Sequence, residues 1–212
     1  MWKFTTRRNI KSSPVVDIQG TVYFGGGDGI LYALFQNGTV KWKNKLCNSS
    51  SYEVYRGFAI DESKIYFPCR EEFFYAVYLS NGMKAWEFSF AGDLFGAPTI
   101  DPIDGTIYTH SFSSSKSALY AFDHSDGKIK NKCTTNKVTD SIALTELMDF
   151  NGGNTRRTTV VGASVNTPEL FFVQYINCKV LLTVETDAAF STGPAIFNDG
   201  NYHHAYAVSQ KG

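Results

Sequence analysis

The sequence predicts an all-β fold that is built from repeated units of four short antiparallel strands. Tryptophans recur at intervals of 40 and 44 residues, and a Leu-Tyr-Ala or Phe-Tyr-Ala motif recurs at intervals of 43 and 45 residues. Turn residues interrupt the chain roughly every eight to twelve positions, which favours short strands. Helical repeats of similar length would instead need long segments with a period of about 3.6 residues.

The repeated positions keep the same order in three successive units. The tryptophans are Trp2, Trp42 and Trp86, and the Tyr-Ala pairs are Tyr32-Ala33, Tyr75-Ala76 and Tyr120-Ala121. The turns that follow the pairs are Asn37-Gly38, Asn81-Gly82 and Asp126-Gly127. One recurrence could arise by chance, but the ordered set indicates an internal repeat. We expect these residues to serve packing, because a small alanine beside bulky neighbours lets adjacent sheets approach each other.

The first unit illustrates the predicted strands. They fall at residues 12–17, 21–26, 30–35 and 39–45. Four such strands and their turns fill about 40–45 residues, the length of one blade of a β-propeller. The glycine-rich GGGDG stretch at residues 25–29 lies between the second and third strands. No helix is predicted after it, so it indicates a hairpin turn and not a phosphate-binding loop.

The whole chain is predicted to form a single propeller domain, residues 1–212, with about four or five blades. The blades are expected at residues 11–46, 55–90, 95–133 and 138–186, with a partial blade at 190–212. The fourth unit is more divergent, and Asn131 stands in the position that the repeat gives to tryptophan.

The ends of the chain predict an incomplete propeller. Trp2 corresponds to the end of a fourth strand, and the last unit contains only a first and a second strand. An open arc of blades would leave unpaired strand edges, which are templates for pairing with another chain. We therefore expect a segment of a larger propeller that is completed by further sequence or by self-association through open blade edges. A five-bladed ring closed by the N-terminal strand is the competing interpretation.

The first unit, SSPVVDIQGTVYFGGGDGILYALFQNGTVKW, resembles the repeat of the PQQ-like (quinoprotein-like) β-propellers. The resemblance is close over residues 2–130 and can be traced to the C-terminus. It implies that the tryptophan of each fourth strand docks between neighbouring blades. Many members of this family are non-catalytic, including bacterial outer-membrane assembly lipoproteins, whereas others are dehydrogenases that hold PQQ and calcium at the propeller axis.

The residues favour the non-catalytic type. The dehydrogenases typically carry an adjacent cysteine pair and acidic calcium ligands, but this chain has no Cys-Cys and its predicted first strands are apolar or small. Only Arg56 brings a charge close to one of them. PQQ and calcium are therefore not expected. The DPIDG stretch at residues 101–105 has the composition of a calcium loop but lacks the twelve-residue EF-hand pattern.

Composition narrows the range of partners. Lys plus Arg equals Asp plus Glu at 20 each, so net charge gives no reason to expect nucleic acid or an anionic membrane. No apolar run approaches the roughly 20 residues of a membrane span, and no signal peptide is recognisable. The sequence does not indicate the compartment of the protein.

The four cysteines have no metal-binding spacing and are predicted to be separate small residues. Under oxidising conditions they allow three disulfide pairings, among which the sequence does not choose.

The leading functional hypothesis is a scaffold that binds a protein partner through its least repeat-like loops. The arginines proposed to contact an acidic partner are Arg7, Arg8, Arg56, Arg156 and Arg157. One alternative is a fragment of a PQQ-dependent dehydrogenase that oxidises alcohols or sugars, and another is a glycan-binding propeller with exposed Tyr and Trp. Two N-glycosylation sequons occur, at Asn37 and Asn48, and glycosylation at Asn37 is optional because this residue lies in a repeat turn.

Overall fold

A computed structural model describes most of the chain as short strands. The described residues are 1–47, 54, 57–69, 73–89, 93–94, 97–113, 116–135, 139–148, 156–164, 168–174, 177–190, 194–198 and 203–208. Within these ranges the structure is all-β, as the sequence predicts, and the strands form antiparallel sheets in chain order. No helix long and apolar enough to cross a membrane occurs in these ranges.

The first two sheets contain four strands each, in the order of the chain. Sheet 1 consists of β1 (Val15–Val16), β2 (Val22–Gly25), β3 (Ile30–Leu34) and β4 (Val40–Lys45). Sheet 2 consists of β5 (Ala59–Ile60), β6 (Lys64–Cys69), β7 (Phe73–Tyr78) and β8 (Lys84–Ser89). The first strand of each sheet is shorter than the sequence pattern predicts, because only two residues of it are paired.

Sheets 3 and 4 repeat this order, and their second strands are longer than those of sheets 1 and 2. Sheet 3 consists of β9 (Asp93–Leu94), β10 (Thr99–Ile100), β11 (Ile107–Ser113), β12 (Lys116–Phe122) and β13 (Ile129–Thr135), and both β9 and β10 pair with β11. Sheet 4 consists of β14 (Thr139–Met148), β15 (Arg156–Ser164), β16 (Glu169–Gln174) and β17 (Lys179–Glu185). In the described residues, sheet 5 consists of β18 (Ala195–Asn198) and β19 (His203–Tyr206).

The two faces of each third strand pack against different sheets, because successive side chains of a strand point to opposite faces. Leu31 and Ala33 of β3 pack with Tyr75 and Val77 of β7. The pattern then repeats along the chain: Phe74 and Ala76 pack with Tyr120 and Phe122, and Leu119 and Ala121 pack with Phe171 and Val173. In the second and third units the repeated tyrosine therefore faces the preceding sheet, whereas the alanine faces the following one.

The first strands of neighbouring sheets converge. β10 lies beside β5 on one side and beside β14 on the other, and β14 also lies beside β18. At the approach to these strands, a Cβ atom added to Gly57 would lie only 2.5 Å from the Cβ atom of Ala97. Sheets that pack face to face while their first strands converge form the radial arrangement of a β-propeller.

Candidate functional site

The repeated tryptophans form the seams between neighbouring sheets. The indole Nε1–H of Trp42 in sheet 1 donates to the carbonyl oxygen of Leu79 in sheet 2 over 2.8 Å. The ring covers Gly82, where an added Cβ atom would lie 2.5 Å from it. Trp86 makes the same contacts with His124 O, at 3.2 Å, and with Gly127.

The alanine of the repeat makes room for these rings. Ala33 lies directly opposite Trp42 in the register of β3 and β4, and Ala76 lies opposite Trp86 in that of β7 and β8. Because directly opposite side chains share a face, a larger residue at either alanine would compete with the indole ring for the same space. Ala121 occupies the same register position in sheet 3, where its partner is Asn131.

Trp2 makes an equivalent contact on sheet 1. Its Nε1–H donates to Gln36 O over 2.8 Å and its ring covers Gly38. Phe4 packs on the same face of the sheet, with ring centroids 6.0 Å from Phe24 and 5.6 Å from Tyr32. The N-terminal residues thus cover the face of sheet 1 that is turned away from sheet 2.

At the seams formed by Trp42 and Trp86, a buried tyrosine packs against the tryptophan and donates a hydrogen bond to an aspartate. The hydroxyl of Tyr66 donates to the carboxylate of Asp61, which also accepts two amide hydrogen bonds of its own turn. Burial by itself raises the pKa of Asp61, but the hydrogen bonds from Tyr66 and the turn amides outweigh it and hold this pKa below its usual value. Tyr23 and Asp17 repeat the arrangement in sheet 1, with 2.9 Å between the oxygens.

These carboxylates predict a loss of stability in acid. A lowered pKa in the folded state contributes stability above the unfolded pKa near 3.8, and this contribution is lost as the pH falls through the folded value. We expect Tyr66→Phe to lower the free energy of unfolding by about 1 kcal/mol at pH 7, because Asp61 is only partly buried. The variant should also lose less stability than the wild type below pH 4.

Urea unfolding measured by circular dichroism from pH 7 to pH 2.5 tests this expectation. Tyr78→Phe is the matched control, since Tyr78 is 41% exposed at the end of β7. If Tyr66→Phe and Tyr78→Phe have the same pH profile as the wild type, the pairing of Tyr66 with Asp61 contributes nothing to acid stability.

The seam between sheets 3 and 4 differs from the others, and it corrects the expectation of separate cysteines. Cys133 and Cys178 form a disulfide. Asn131 stands opposite Ala121, where a tryptophan stands in the earlier sheets. Cys178 has a positive φ of 56° and follows Asn177, as Gly82 follows Asn81. Here a covalent bond connects the two sheets at the turn that the tryptophan ring covers elsewhere.

A second disulfide corrects the same expectation. Cys47 follows β4 of sheet 1, Cys69 ends β6 of sheet 2, and the two are bonded. Both residues are fully buried, in the apolar cluster that fills the space between these sheets. Sequence spacing could not select these pairings, because the distances between cysteines depend on how separate sheets pack.

A basic segment precedes β1 and lies along the β1 side of strand β2, and we call residues 7–11 (RRNIK) the basic arm. Asn9 O accepts a hydrogen bond of 2.8 Å from Gly27 N, and Ile10 forms an antiparallel bridge with Gly26. The hydroxyl of Ser12 then accepts from Gly25 N over 2.8 Å. The arm is thus fixed along the GGGDG hairpin, while Ile10 is 47% exposed.

Arg7, one of the predicted arginines, lies close enough to this hairpin for its charge to act on Tyr32. Burial, followed by the hydrogen bond to Asp28, raises the pKa of Tyr32 to about 12, and the positive charge of Arg7 opposes this shift. Arg7 and Arg8 are both exposed. The arm carries three basic side chains, with Lys11 as the third, and no acidic residue of its own.

Of the five predicted arginines, the structure describes the backbone of Arg7, Arg8, Arg156 and Arg157. Arg156 and Arg157 were expected in a loop, but they begin β15 and pair with Met148 and Leu147 of β14. The loop expectation was wrong because the β14–β15 hairpin is paired beyond the repeat's usual strand length. Arg56 lies outside the described residues. The arm, with Arg7 and Arg8, is therefore the part of the predicted surface whose geometry is described.

The two glycine- and aspartate-rich stretches form turns. Residues 26–29 connect β2 and β3 as the predicted hairpin, with Gly29 at a φ of 76°. In the DPIDG stretch, the Asp101 carboxylate accepts from Ile103 N and the Asp104 carboxylate accepts from Thr106 N, both over 2.9 Å. The carboxylate oxygens thus cap their own turns, as Asx turns do.

The described first strands of sheets 1, 2 and 3 offer few oxygen ligands for a metal ion. The described parts of β1, β5 and β10 are Val15–Val16, Ala59–Ile60 and Thr99–Ile100, which present apolar side chains and one hydroxyl. A hard cation such as calcium takes six to eight oxygen ligands, most often carboxylates and carbonyls. No group of three His, Cys, Asp or Glu side chains that could hold a metal occurs in the described ranges.

The radial sheets and their seams define a β-propeller, and solved propellers share this architecture. BamB from Moraxella catarrhalis is similar with a TM-score of 0.67 at 14% identity, over 91% of this chain and 57% of its own. The quinohemoprotein alcohol dehydrogenase from Comamonas testosteroni gives a TM-score of 0.65 at 14% identity, over 95% and 40%. A europium-containing methanol dehydrogenase gives 0.71 at 13%, over 89% and 45%.

These similarities support the PQQ-like resemblance at the level of the fold. No family model matches the chain, and no curated protein matches its sequence. The chain spans 40–57% of the length of the three solved structures. At 13–14% identity, the likeness shows the propeller architecture that BamB and the dehydrogenases have in common.

Proposed function

We propose that this chain is a non-catalytic β-propeller scaffold that binds a protein partner, and that the basic arm forms part of the contact surface. The observation that carries the proposal is the state of the arm, which is exposed and yet fixed by backbone bonds to the GGGDG hairpin. A segment already ordered in the free protein pays less conformational entropy when it binds. Among the similar solved structures, BamB bears no enzyme name.

The charge of the arm specifies the chemistry of the partner. Arg7, Arg8 and Lys11 place three positive charges around the partly exposed Ile10. Charged side chains steer association and fix the register of a complex, whereas an apolar centre supplies contact area. The arm therefore fits an acidic protein surface that offers an apolar contact for Ile10.

Site-specific crosslinking in the native host tests this function. A photoreactive amino acid replaces Ile10 in one variant and Ser125 in the control, because Ser125 is exposed on a turn between β12 and β13. We expect a discrete crosslinked protein from position 10 only. The charge reversals Arg7→Glu and Arg8→Glu should abolish it without changing the melting temperature. Equal crosslinking from both positions, or insensitivity to charge reversal, would contradict the proposal.

The alternative function is that of a PQQ-dependent dehydrogenase acting on alcohols or sugars, because the chain also shares its fold with a methanol dehydrogenase, at a TM-score of 0.71. It predicts that PQQ with calcium quenches tryptophan fluorescence saturably and supports reduction of a redox dye by ethanol or glucose. The scaffold proposal predicts neither effect. A titration with PQQ, with and without calcium, separates the two functions.

Self-association is a further mode of contact that exposed apolar residues favour. Val180, Leu182 and Val184 alternate along β17 and are 50%, 52% and 40% exposed. We propose that a second copy of the chain covers this row. Light scattering at increasing concentration should then show dimers, and Leu182→Lys should restore the monomer. A wild-type chain that stays monomeric at all concentrations would rule this mode out.

A further inference from the structure

The hairpin turns between third and fourth strands share one design, but one of them has an additional feature. In four sheets the turn has Asn or Asp followed by a residue with positive φ: Asn37-Gly38, Asn81-Gly82, Asp126-Gly127 and Asn177-Cys178. The Asn or Asp oxygen of each accepts the amide hydrogen of the residue two positions later. Among these turns, the first alone places a hydroxyl residue, Thr39, at that later position.

The first turn therefore carries an N-x-T sequon in a fixed geometry. Asn37 Oδ1 accepts from Thr39 N over 3.0 Å and from Thr39 Oγ1 over 2.7 Å. The turn is closed by hydrogen bonds of 2.8 Å from Phe35 N to Thr39 O and from Gly38 N to Phe35 O. Asn37 is exposed, and its Nδ2 has no hydrogen-bond partner among the described residues.

An exposed aromatic ring accompanies this amide. Phe35 lies two residues before Asn37, immediately after β3, and is 47% exposed. The backbone hydrogen bonds from Phe35 to Thr39 and from Gly38 to Phe35 keep Phe35 and Asn37 within one tight turn. A sugar attached to Nδ2 would find apolar area within reach, and covering such area is favourable.

The disulfides supply an independent observation about the compartment. Both pairs connect neighbouring sheets, and no free cysteine occurs in the described residues. Disulfides persist in oxidising compartments, such as the secretory pathway, and are rare in the cytosol. An N-x-T sequon on a surface turn becomes an acceptor for N-glycosylation in that setting.

We propose that Asn37 is an N-glycosylation site, and that Phe35 and Thr39 shape the surface on which the first sugar rests. The co-substrate is a lipid-diphosphate-linked oligosaccharide. Nδ2 of Asn37 bonds to the anomeric carbon of its terminal N-acetylglucosamine, and the bond from that carbon to the diphosphate oxygen breaks. The amide gives up one proton, and the lipid diphosphate leaves with the bonding electron pair. No oxidant or reductant is involved.

Translation of the chain behind a signal peptide, in the presence of microsomes, tests the proposal. A C-terminal acceptor tag shows which chains entered the lumen, and only tag-glycosylated chains are scored. We expect the Asn37 peptide to be converted to aspartate by PNGase F in most of these chains. Asn37→Gln and Thr39→Val should each remove this glycan, and Asn48→Gln should leave it in place. Tagged chains with an unmodified Asn37 would overturn the assignment of the site.

A second measurement examines the role of the ring. The glycosylated chain is expected to melt at a higher temperature than the same chain after PNGase F treatment. Phe35→Ala keeps the sequon intact and should remove most of that difference. Met83→Thr creates a sequon in the equivalent turn of sheet 2, where Tyr78 lies three residues before Asn81 instead of two. The glycan on Asn81 should raise the melting temperature less than the glycan on Asn37 does. If the glycans of the wild type, Phe35→Ala and Met83→Thr all raise it equally, Phe35 plays no part.

Discussion

Replacing Trp86 with alanine is expected to lower the free energy of unfolding by about 3–5 kcal/mol, as truncation of a buried aromatic ring does. The ring is 8% exposed and packs between sheets 2 and 3. Its centroid lies 5.8 Å from that of Phe74 and 6.0 Å from that of Phe122. Urea unfolding followed by circular dichroism measures the change, because loss of the indole removes a fluorescence signal.

Trp2→Ala should lower the free energy of unfolding less than Trp86→Ala does, since Trp2 is 44% exposed.

A double-mutant cycle shows whether the contact between Trp86 and its turn glycine accounts for part of the loss. Gly127→Ala places a methyl group 2.5 Å from Trp86 at a φ of 73°, and is itself expected to destabilise. In the double variant the steric part of that cost should vanish, which a double-mutant cycle detects. Strict additivity would show that the ring and the glycine do not interact.

Removing the disulfide between sheets 3 and 4 is expected to cost about 2–5 kcal/mol. The bond closes a sequence separation of 45 residues, for which chain entropy alone gives about 4 kcal/mol. We expect Cys133→Ala with Cys178→Gly to be more stable than Cys133→Ala with Cys178→Ser. Glycine adopts the positive φ of residue 178 without strain, whereas serine does not. Unfolding of both double variants, beside the wild type, measures the difference.

A further variant tests whether a tryptophan seam can replace the disulfide. Adding Asn131→Trp to Cys133→Ala and Cys178→Gly gives this seam the tryptophan and glycine of the earlier ones. Because Ala121 lies opposite position 131, the register leaves space for an indole ring. We expect the triple variant to recover part of the lost stability. If it is no more stable than the double variant, the two kinds of seam are not interchangeable.

The repeat made the fold predictable from sequence because its signals are local and periodic. Tyr-Ala pairs and turn glycines mark the third strands and the hairpins, and Trp42 and Trp86 mark the fourth strands β4 and β8. Trp2, predicted to end a fourth strand, lies outside the strands of the structure. The direction in which each side chain points follows from the alternation along a strand. The hairpin at residues 26–29 was predictable for the same reason.

The disulfides, the arginine-bearing strand and the ordered arm were not predictable, because they depend on contacts between distant segments. Cys133 and Cys178 approach each other only when sheet 3 packs on sheet 4. Arg156 and Arg157 belong to a strand because β14 continues for ten residues and offers pairing partners that no local pattern indicates. The basic arm looked like a loop, since the partners that order it lie in the next hairpin.

The tryptophan seams also explain why proteins with this fold can differ widely in sequence. Each indole donates to a main-chain carbonyl oxygen, which every amino acid provides, and the three acceptor residues are indeed a glutamine, a leucine and a histidine. Mutation at these acceptors leaves the bond intact, so selection acts on the donor ring and on the small residue beneath it. Two positions per seam can thus preserve the architecture while most others diverge, in keeping with structural likeness at 13–14% identity.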